Sequence, residues 1–317
     1  MSQFRNANVQ LTNGVYRLKV RSLAVMAIAG LSLLMGGCSI TQLGYNNGPH
    51  LAWWWLDGYV DFDREQKPHA KQAIQAWFNW HRSEQLPAYA EWLTIVRSGI
   101  DGRITPEQAC SWSDELQEII APALDHAVQL GTPVALRLGE AQWRYLEKQY
   151  QKSNDKLRRK YLQPDVEDRL NASVKRTVKR IENLYGRIDK KQRALIITAV
   201  KASPFAPDAW LLERQRRQQV TLSTLQRIAT EPAPFDKAAA ELRQLVAHTH
   251  RSDDADYRAY QLRLSEYTCG FIARLHNSTT PKQRQHAHDK LAGWETDITA
   301  LINDNRHAAN QVQIATE

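Results

Sequence analysis

The chain is short of the residues that interrupt regular structure, and it has no run long enough to span a bilayer as a helix. Glycine occurs 14 times and proline 12 times in 317 residues, which excludes collagen-like and low-complexity chains. No stretch alternates polar and β-branched residues over several positions, so the strand pattern is missing. The longest apolar run, residues 22–35, falls below the roughly 20 residues a spanning helix needs. His-Glu-x-x-His, Cys-x-x-Cys, Gly-x-Ser-x-Gly and the phosphate-binding glycine loops are absent. With them go the sequence signals for a zinc hydrolase, a serine esterase and a nucleotide-binding enzyme.

What is present begins with a secretory layout. Arg17, Lys19 and Arg21 precede the apolar run, and the small pair Gly36-Gly37 leads into Cys38. A positive region, a short apolar region and small residues at a cut define a signal peptide. The cysteine in that position resembles a bacterial lipobox. The resemblance implies that residues 1–37 are removed and that Cys38 is acylated and becomes the first residue. Residues 38–50 then form a lipid-anchored tether. Ser39, where an aspartate would signal retention at the inner membrane, implies the outer membrane. The alternative is a thiol at the end of a buried apolar helix.

That reading changes the charge. The formal net charge is +8. Arg5, Arg17, Lys19 and Arg21 leave with the signal and no acid does, so half of it is lost. Two cysteines remain, Cys110 and Cys269. In an oxidising envelope such a pair is a candidate disulfide; two separate buried thiols are the alternative.

The rest reads as helix after helix. Residues 136–161 place Leu136, Trp143, Leu146, Tyr150, Leu157 and Tyr161 on one stripe. Val174, Val178, Ile181, Tyr185 and Ile188 form a second, with Lys175, Arg176, Lys179 and Arg180 facing water. Leu242, Leu245 and Val246, then Leu262, Leu264, Phe271, Ile272 and Leu275, continue the theme. Breaks are expected at 99–102, 131–133, 163–165, 203–207, 231–234 and 277–281, and Pro87 and Pro122 should end or kink their helices. The expectation is an all-α fold, a multi-helix bundle with long antiparallel helices, over residues 51–317. Residues 203–207 are the best candidate for an internal sub-boundary.

A tetrapeptide recurs: Asp63-Arg-Glu-Gln66, Thr105-Pro-Glu-Gln108, Asp189-Lys-Lys-Gln192 and Thr280-Pro-Lys-Gln283. It is a capping box: the Thr or Asp oxygen accepts a first-turn N–H, and the glutamine reaches back to the cap. These helix starts are similar to the Leu-Thr-x-x-Gln motifs of Spy and CpxP-type periplasmic chaperones, Ile104-Thr105-x-x-Gln108 above all. A broader resemblance rests on Tyr45-Asn-Asn47, Trp54-Trp-Leu-Asp-Gly-Tyr-Val-Asp61, Trp80-His-Arg-Ser-Glu-Gln-Leu-Pro87 and Trp294-Glu-Thr-Asp-Ile298. It is to a proteobacterial lipoprotein family of unknown function. It implies an envelope address and a helical fold, and it assigns no catalytic residue.

Chemistry is hard to find. His248/His250 and His286/His288 are spaced by two, which turns the rings to different faces of a helix, and no metal site is expected. Asp253-Asp254 and Asp61/Asp63 fall at loops or caps. Residues 144–193 hold 16 basic and 7 acidic residues, densest at Lys156, Arg158, Arg159 and Lys160. A second patch is Arg214-Gln-Arg-Arg217. These are either solvated helix faces or a surface for acidic partners. Leu51-Ala-Trp-Trp-Trp-Leu56 is expected to plug the core; a membrane-interface seat is the alternative.

The expected function is therefore non-enzymatic: an outer-membrane lipoprotein facing the periplasm, binding unfolded polypeptides in a Spy-like manner. The alternative is a structural or regulatory lipoprotein docked on one envelope complex. The expected partners are the membrane, through the lipid on Cys38, and envelope proteins. No nucleic acid, and no cofactor beyond the lipid, is expected.

Overall fold

The computed structural model describes residues 40–231 and 234–316, so Cys38 and the expected signal segment lie outside the described residues. All regular structure among the described residues is helical, as the periodicities require. Ile40–Asn46 is a short helix. Asn46–Glu317 is one unit. It runs α1 (Gly48–Val60), α2 (Gln66–Trp80), a π-turn (His81–Gln85), α3 (Leu86–Gly99), α4 (Pro106–Ala135), α5 (Glu140–Tyr161) and α6 (Val166–Tyr185). Then follow α7 (Lys190–Ala202), α8 (Pro207–Thr230), α9 (Phe235–His250), α10 (Ala255–Asn277) and α11 (Pro281–Thr316). No single described helix is long and apolar enough to cross a membrane.

Among the described residues, two large apolar cores and a smaller cluster of Ile104, Ala109, Cys269 and Ala273 hold these helices. One gathers Val60, Val134, Leu146, Leu225, Ile228 and Ala238 from α1, α4, α5, α8 and α9. The other gathers Leu93, Val178, Ile181, Ile196, Leu275 and Leu291 from α3, α6, α7, α10 and α11. The α6 stripe is buried as expected at Val174, Val178, Ile181 and Tyr185. The helix ends before Ile188, because Gly186 takes φ 73°, a left-handed conformation glycine adopts without a Cβ penalty, yet Ile188 still packs on this core. Cys110 and Cys269 form a disulfide across 159 residues of sequence, joining α4 to α10. Closing so long a loop contributes roughly 4–5 kcal/mol in the chain-entropy account.

Three sequence expectations need correction. The break at 131–133 does not occur: α4 runs on to Ala135 with Pro122 and Pro133 inside it. Packing outweighs the lost ladder bonds, since Thr132, Val134 and Ala135 are buried. Near Pro122, the Ile119 and Ala123 carbonyls accept from Gln85 Nε2 and Trp77 Nε1 at 2.8 and 2.9 Å. Pro87 follows a break of another kind, the π-turn. The helix assigned to 136–161 starts only at Glu140, although Leu136, in the preceding turn, still packs on the first core with Trp143 and Tyr150. Leu262 and Ile272 are exposed, so the apolar face of α10 is narrower than its sequence suggests.

The recurring glutamines do more than cap. Asp189 accepts from the Gln192 N–H at 2.8 Å, and Gln192 Oε1 accepts from the Asp189 N–H at 3.0 Å. Gln192 Nε2 then donates to the Ser278 carbonyl, in the loop before α11. Gln283 mirrors it. Its Oε1 accepts from the Thr280 N–H, and its Nε2 donates to the Arg187 carbonyl before α7. The two buried amides also meet, 2.7 Å from Gln192 Nε2 to Gln283 Oε1. The same clasp recurs between α2 and α5. Gln66, capped against Asp63, donates to the Arg137 carbonyl at 2.7 Å. Gln142 accepts from the Gly139 N–H and reaches the Asp61 carbonyl. Thr105–Gln108 differs. Thr105 accepts from the Gln108 N–H at 3.2 Å, and the Ile104 backbone is bonded by the Asn277 amide instead.

Two buried histidines complete the packing. His276 is fully buried; its Nε2 donates to the Gly102 carbonyl at 2.8 Å. Nδ1 is then free to accept from the Tyr185 hydroxyl at 3.0 Å. Burial, helped by the Arg284 charge, lowers the His276 pKa despite that carbonyl bond, and burial pushes His81 down to about 4.

Two outcomes follow. Gln192→Ala should cost about 2–4 kcal/mol in urea unfolding, a cap plus a buried amide left unpaired, whereas Gln108→Ala should cost little. Equal losses would contradict the clasp. Both histidine pKa values are lower in the folded chain, so the unfolded chain takes the proton first. Stability should be complete above about pH 6.5 and fall as pH drops toward 4. Urea midpoints across that range should show it, and His81→Phe, which keeps a ring on Trp77, should flatten the fall.

Candidate functional site

The first core is not filled. A cavity of about 900 Å³ opens among α1, α2, α4, α5, α8 and α9. Its walls are apolar, including Leu56, Val60, Phe62, Ile74, Val134 and Leu146. Gly131 of α4 lines it too, and a Cβ added there would meet nothing within 4 Å. The polar wall is local: Arg214, Arg216, Arg217 and Gln218 of α8, with His248, Thr249 and Asp253. The size and this mix of lining match small-molecule sites.

The arginines differ in how they are neutralised. Arg216 forks onto Glu213, 2.7 Å from Nε to Oε2, and also pairs with Asp253. Arg217 lies 3.6 Å from Glu213 and donates to the Thr249 carbonyl. Burial raises the Glu213 carboxyl, but bonds from Arg216 and Ser252 and the two arginine charges outweigh it, leaving its pKa below the usual range. The Arg216 bond likewise holds Asp253 down. Two guanidinium groups, those of Arg216 and Arg217, thus take up both carboxylates.

Arg214 is the one left over. Its guanidinium donates to Asn154 Oδ1 and Ser153 Oγ, both at 3.0 Å and both neutral. An arginine can only donate, and that fixes the direction of everything beyond it. Asn154 Oδ1 accepts, so its Nδ2 donates, to Gln218 Oε1 at 2.8 Å. Gln218 Nε2 is left as a donor, and among the described residues it has no hydrogen-bond partner. Gln218 is 8% exposed and lines the cavity. Tyr150, also on the wall, has its pKa raised by burial and partly offset by Arg214.

The residues singled out in the sequence fall elsewhere, apart from the 214–217 patch. Lys156, Arg158, Arg159, Lys160, Lys175, Lys179 and Arg180 are exposed. The two basic runs meet where Arg176 donates to the Lys160 carbonyl and lies over the Tyr161 ring. They do not line this cavity, although Lys175 lines a second, smaller pocket of about 520 Å³ with Arg193 and Lys201. The tryptophan segment splits. Trp53 and Leu56 pack on the core, while Leu51, Trp54 (77% exposed) and Trp55 (59%) face outward. The expected core plug is therefore only half of that helix. His286 bonds the Leu184 carbonyl and His288 meets Arg97. Among the described residues, no three His, Cys, Asp or Glu side chains are grouped to hold a metal.

Sequence reasoning missed the cavity, since its walls carry the same residues as a filled core. It also missed Ser153, Asn154 and Gln218; Asn and Gln at inward helical positions were the available signal.

No curated protein and no solved structure matches the chain. Residues 58–258 match a family described as a family of unknown function, DUF6279. That span includes Ser153, Asn154, the arginines, Gln218 and Asp253. With most of its length matched, the chain belongs to this family of unknown function.

Proposed function

We propose that the protein is a non-enzymatic lipoprotein of the outer membrane, facing the periplasm. It binds the apolar part of an envelope client in the cavity between α1 and α8. The observation that carries this reading is an apolar cavity of about 900 Å³ with one localised polar wall. The residues around Cys38 support the address, and the lipid there ties the protein to the membrane. In the form suggested by the Spy-like helix starts, the client is an unfolded polypeptide offering apolar side chains. The clasps give Gln66, Gln192 and Gln283 structural work, so this form rests on the cavity rather than on the motif. The outward Leu51, Trp54 and Trp55 favour a second reading, docking on one envelope partner through α1.

Gly131→Leu tests the cavity. It adds a side chain at an open position, and replacing a mid-helix glycine should stabilise by roughly 0.5–1 kcal/mol. The Cys38→Ser chain should bind an uncharged, environment-sensitive fluorophore and slow the aggregation of an unfolded client. Adding Gly131→Leu should weaken both several-fold without lowering the unfolding midpoint. Unchanged dye binding would remove the cavity as the site. Absence of any effect on aggregation would remove polypeptides as clients. In cells, Cys38→Ser should move the protein from the membrane to the soluble fraction; retention with membranes would end the lipoprotein reading.

A further inference from the structure

The cavity ends in donors, and that narrows what it holds. Arg214 spends N–H groups on Asn154 and Ser153, and the Asn154 amide passes the direction on to Gln218. The chain of bonds finishes at Gln218 Nε2, an atom closed off from solvent and without a partner among the described residues, on a side chain that lines the cavity. Arg214, on the same wall, has no carboxylate within ion-pair distance among the described residues. The two carboxylates nearby are committed to Arg216 and Arg217. A buried donor left unpaired is costly, and a cation beside it calls for an anion. The polar wall thus offers hydrogen-bond donors with a positive excess, while the rest of the cavity is apolar.

We infer that the cavity binds a single-chain amphiphile with a carboxylate head, a fatty acid or a molecule built like one. The tail lies along the Leu56, Ile74 and Val134 wall. One carboxylate oxygen accepts from Gln218 Nε2, and the other faces the Arg214 guanidinium. Planar carboxylates suit an arginine fork better than hydroxyls do. Three groups moderate the wall's charge: Asp253 and His248, which lie 3.9 Å apart, and Glu213, buried beneath Arg216. None of them faces Arg214 as a partner. The inference rests on the cavity being a binding site and adds the chemistry of its ligand.

The test uses the Cys38→Ser chain, so that no acyl group of its own can enter. Dodecanoate, dodecanol and dodecyl phosphate are titrated below their aggregation concentrations, with displacement of the uncharged fluorophore as readout. Dodecanoate should bind at least roughly tenfold more tightly than dodecanol, the size of effect a charge-assisted hydrogen bond gives. Gln218→Glu keeps the acceptor for Asn154 and turns the donor into an oxygen. It should lower the ratio of dodecanoate to dodecanol affinity at least roughly tenfold, a ratio that a general loss of packing would not move. Arg214→Lys should keep part of the preference. Equal binding of acid and alcohol, or a preference that survives Gln218→Glu, overturns the inference. So does tighter binding of dodecyl phosphate, or displacement of dodecanoate by an apolar peptide that binds more tightly. Failure here with dye binding still blocked by Gly131→Leu removes only the carboxylate. Dye binding indifferent to Gly131→Leu removes the cavity itself.

Discussion

A helix that begins inside a protein points its first N–H groups at a place water cannot reach. Much of this architecture follows from how those donors, and the carbonyls of the loops beside them, are satisfied. A glutamine three residues past the cap has enough reach to close its own helix start and still bond a neighbouring loop. Gln192 and Gln283 do this for each other's loops, and Gln66 and Gln142 do so at the other core. Each clasp therefore fixes two helix starts at once. Losing one amide leaves both a cap and a partner loop unpaired, which is why these residues are buried despite their polarity.

With helix starts held from the ends, the space between them need not be packed to full density. The second core is closed by Ile196, Ala287 and Leu291, all nearly inaccessible. The first is left with a large cavity, although cavities reduce stability in proportion to their volume. A lone arginine on neutral partners and a glutamine with a spare donor line the same cavity. A chain selected only for stability would fill the one and pair the other. Cavity, charge and donor lie in one place, and a ligand with an apolar tail and an anionic head satisfies all three.

What the sequence made legible was local. Periodicity located the α6 stripe, and the caps at Asp63, Thr105, Asp189 and Thr280 are formed. Gly139–Gln142 escaped notice because a glycine cap has no side chain to show in the pattern. Pro133 reads as a stop, yet α4 passes through it because Thr132 and Val134 are buried on either side. The cavity was illegible for a deeper reason. Leu56, Ile74 and Leu146 look the same in sequence whether they touch each other or a ligand. Asn154 and Gln218 are 64 positions apart, and only the fold shows that one amide directs the other.

The basic exterior and the cavity bear on function differently. Lys156, Arg158, Arg159 and Lys160 lie in water, where ions screen them beyond about 8–10 Å, so their effect on any partner is long-range and salt-sensitive. Arg214 is partly buried among neutral acceptors, where the lower dielectric strengthens each contact. A client drawn by the first need not be the molecule held by the second. The lipid proposed on Cys38 sharpens the distinction. A lipid there would put the start of α1, ten positions on at Gly48, close to a bilayer surface. At such a surface two-chain phospholipids would compete with a single-chain amphiphile for the cavity. Discrimination then has to come from the cavity's width and from the Gln218–Arg214 wall, because both kinds of lipid offer the same apolar tails.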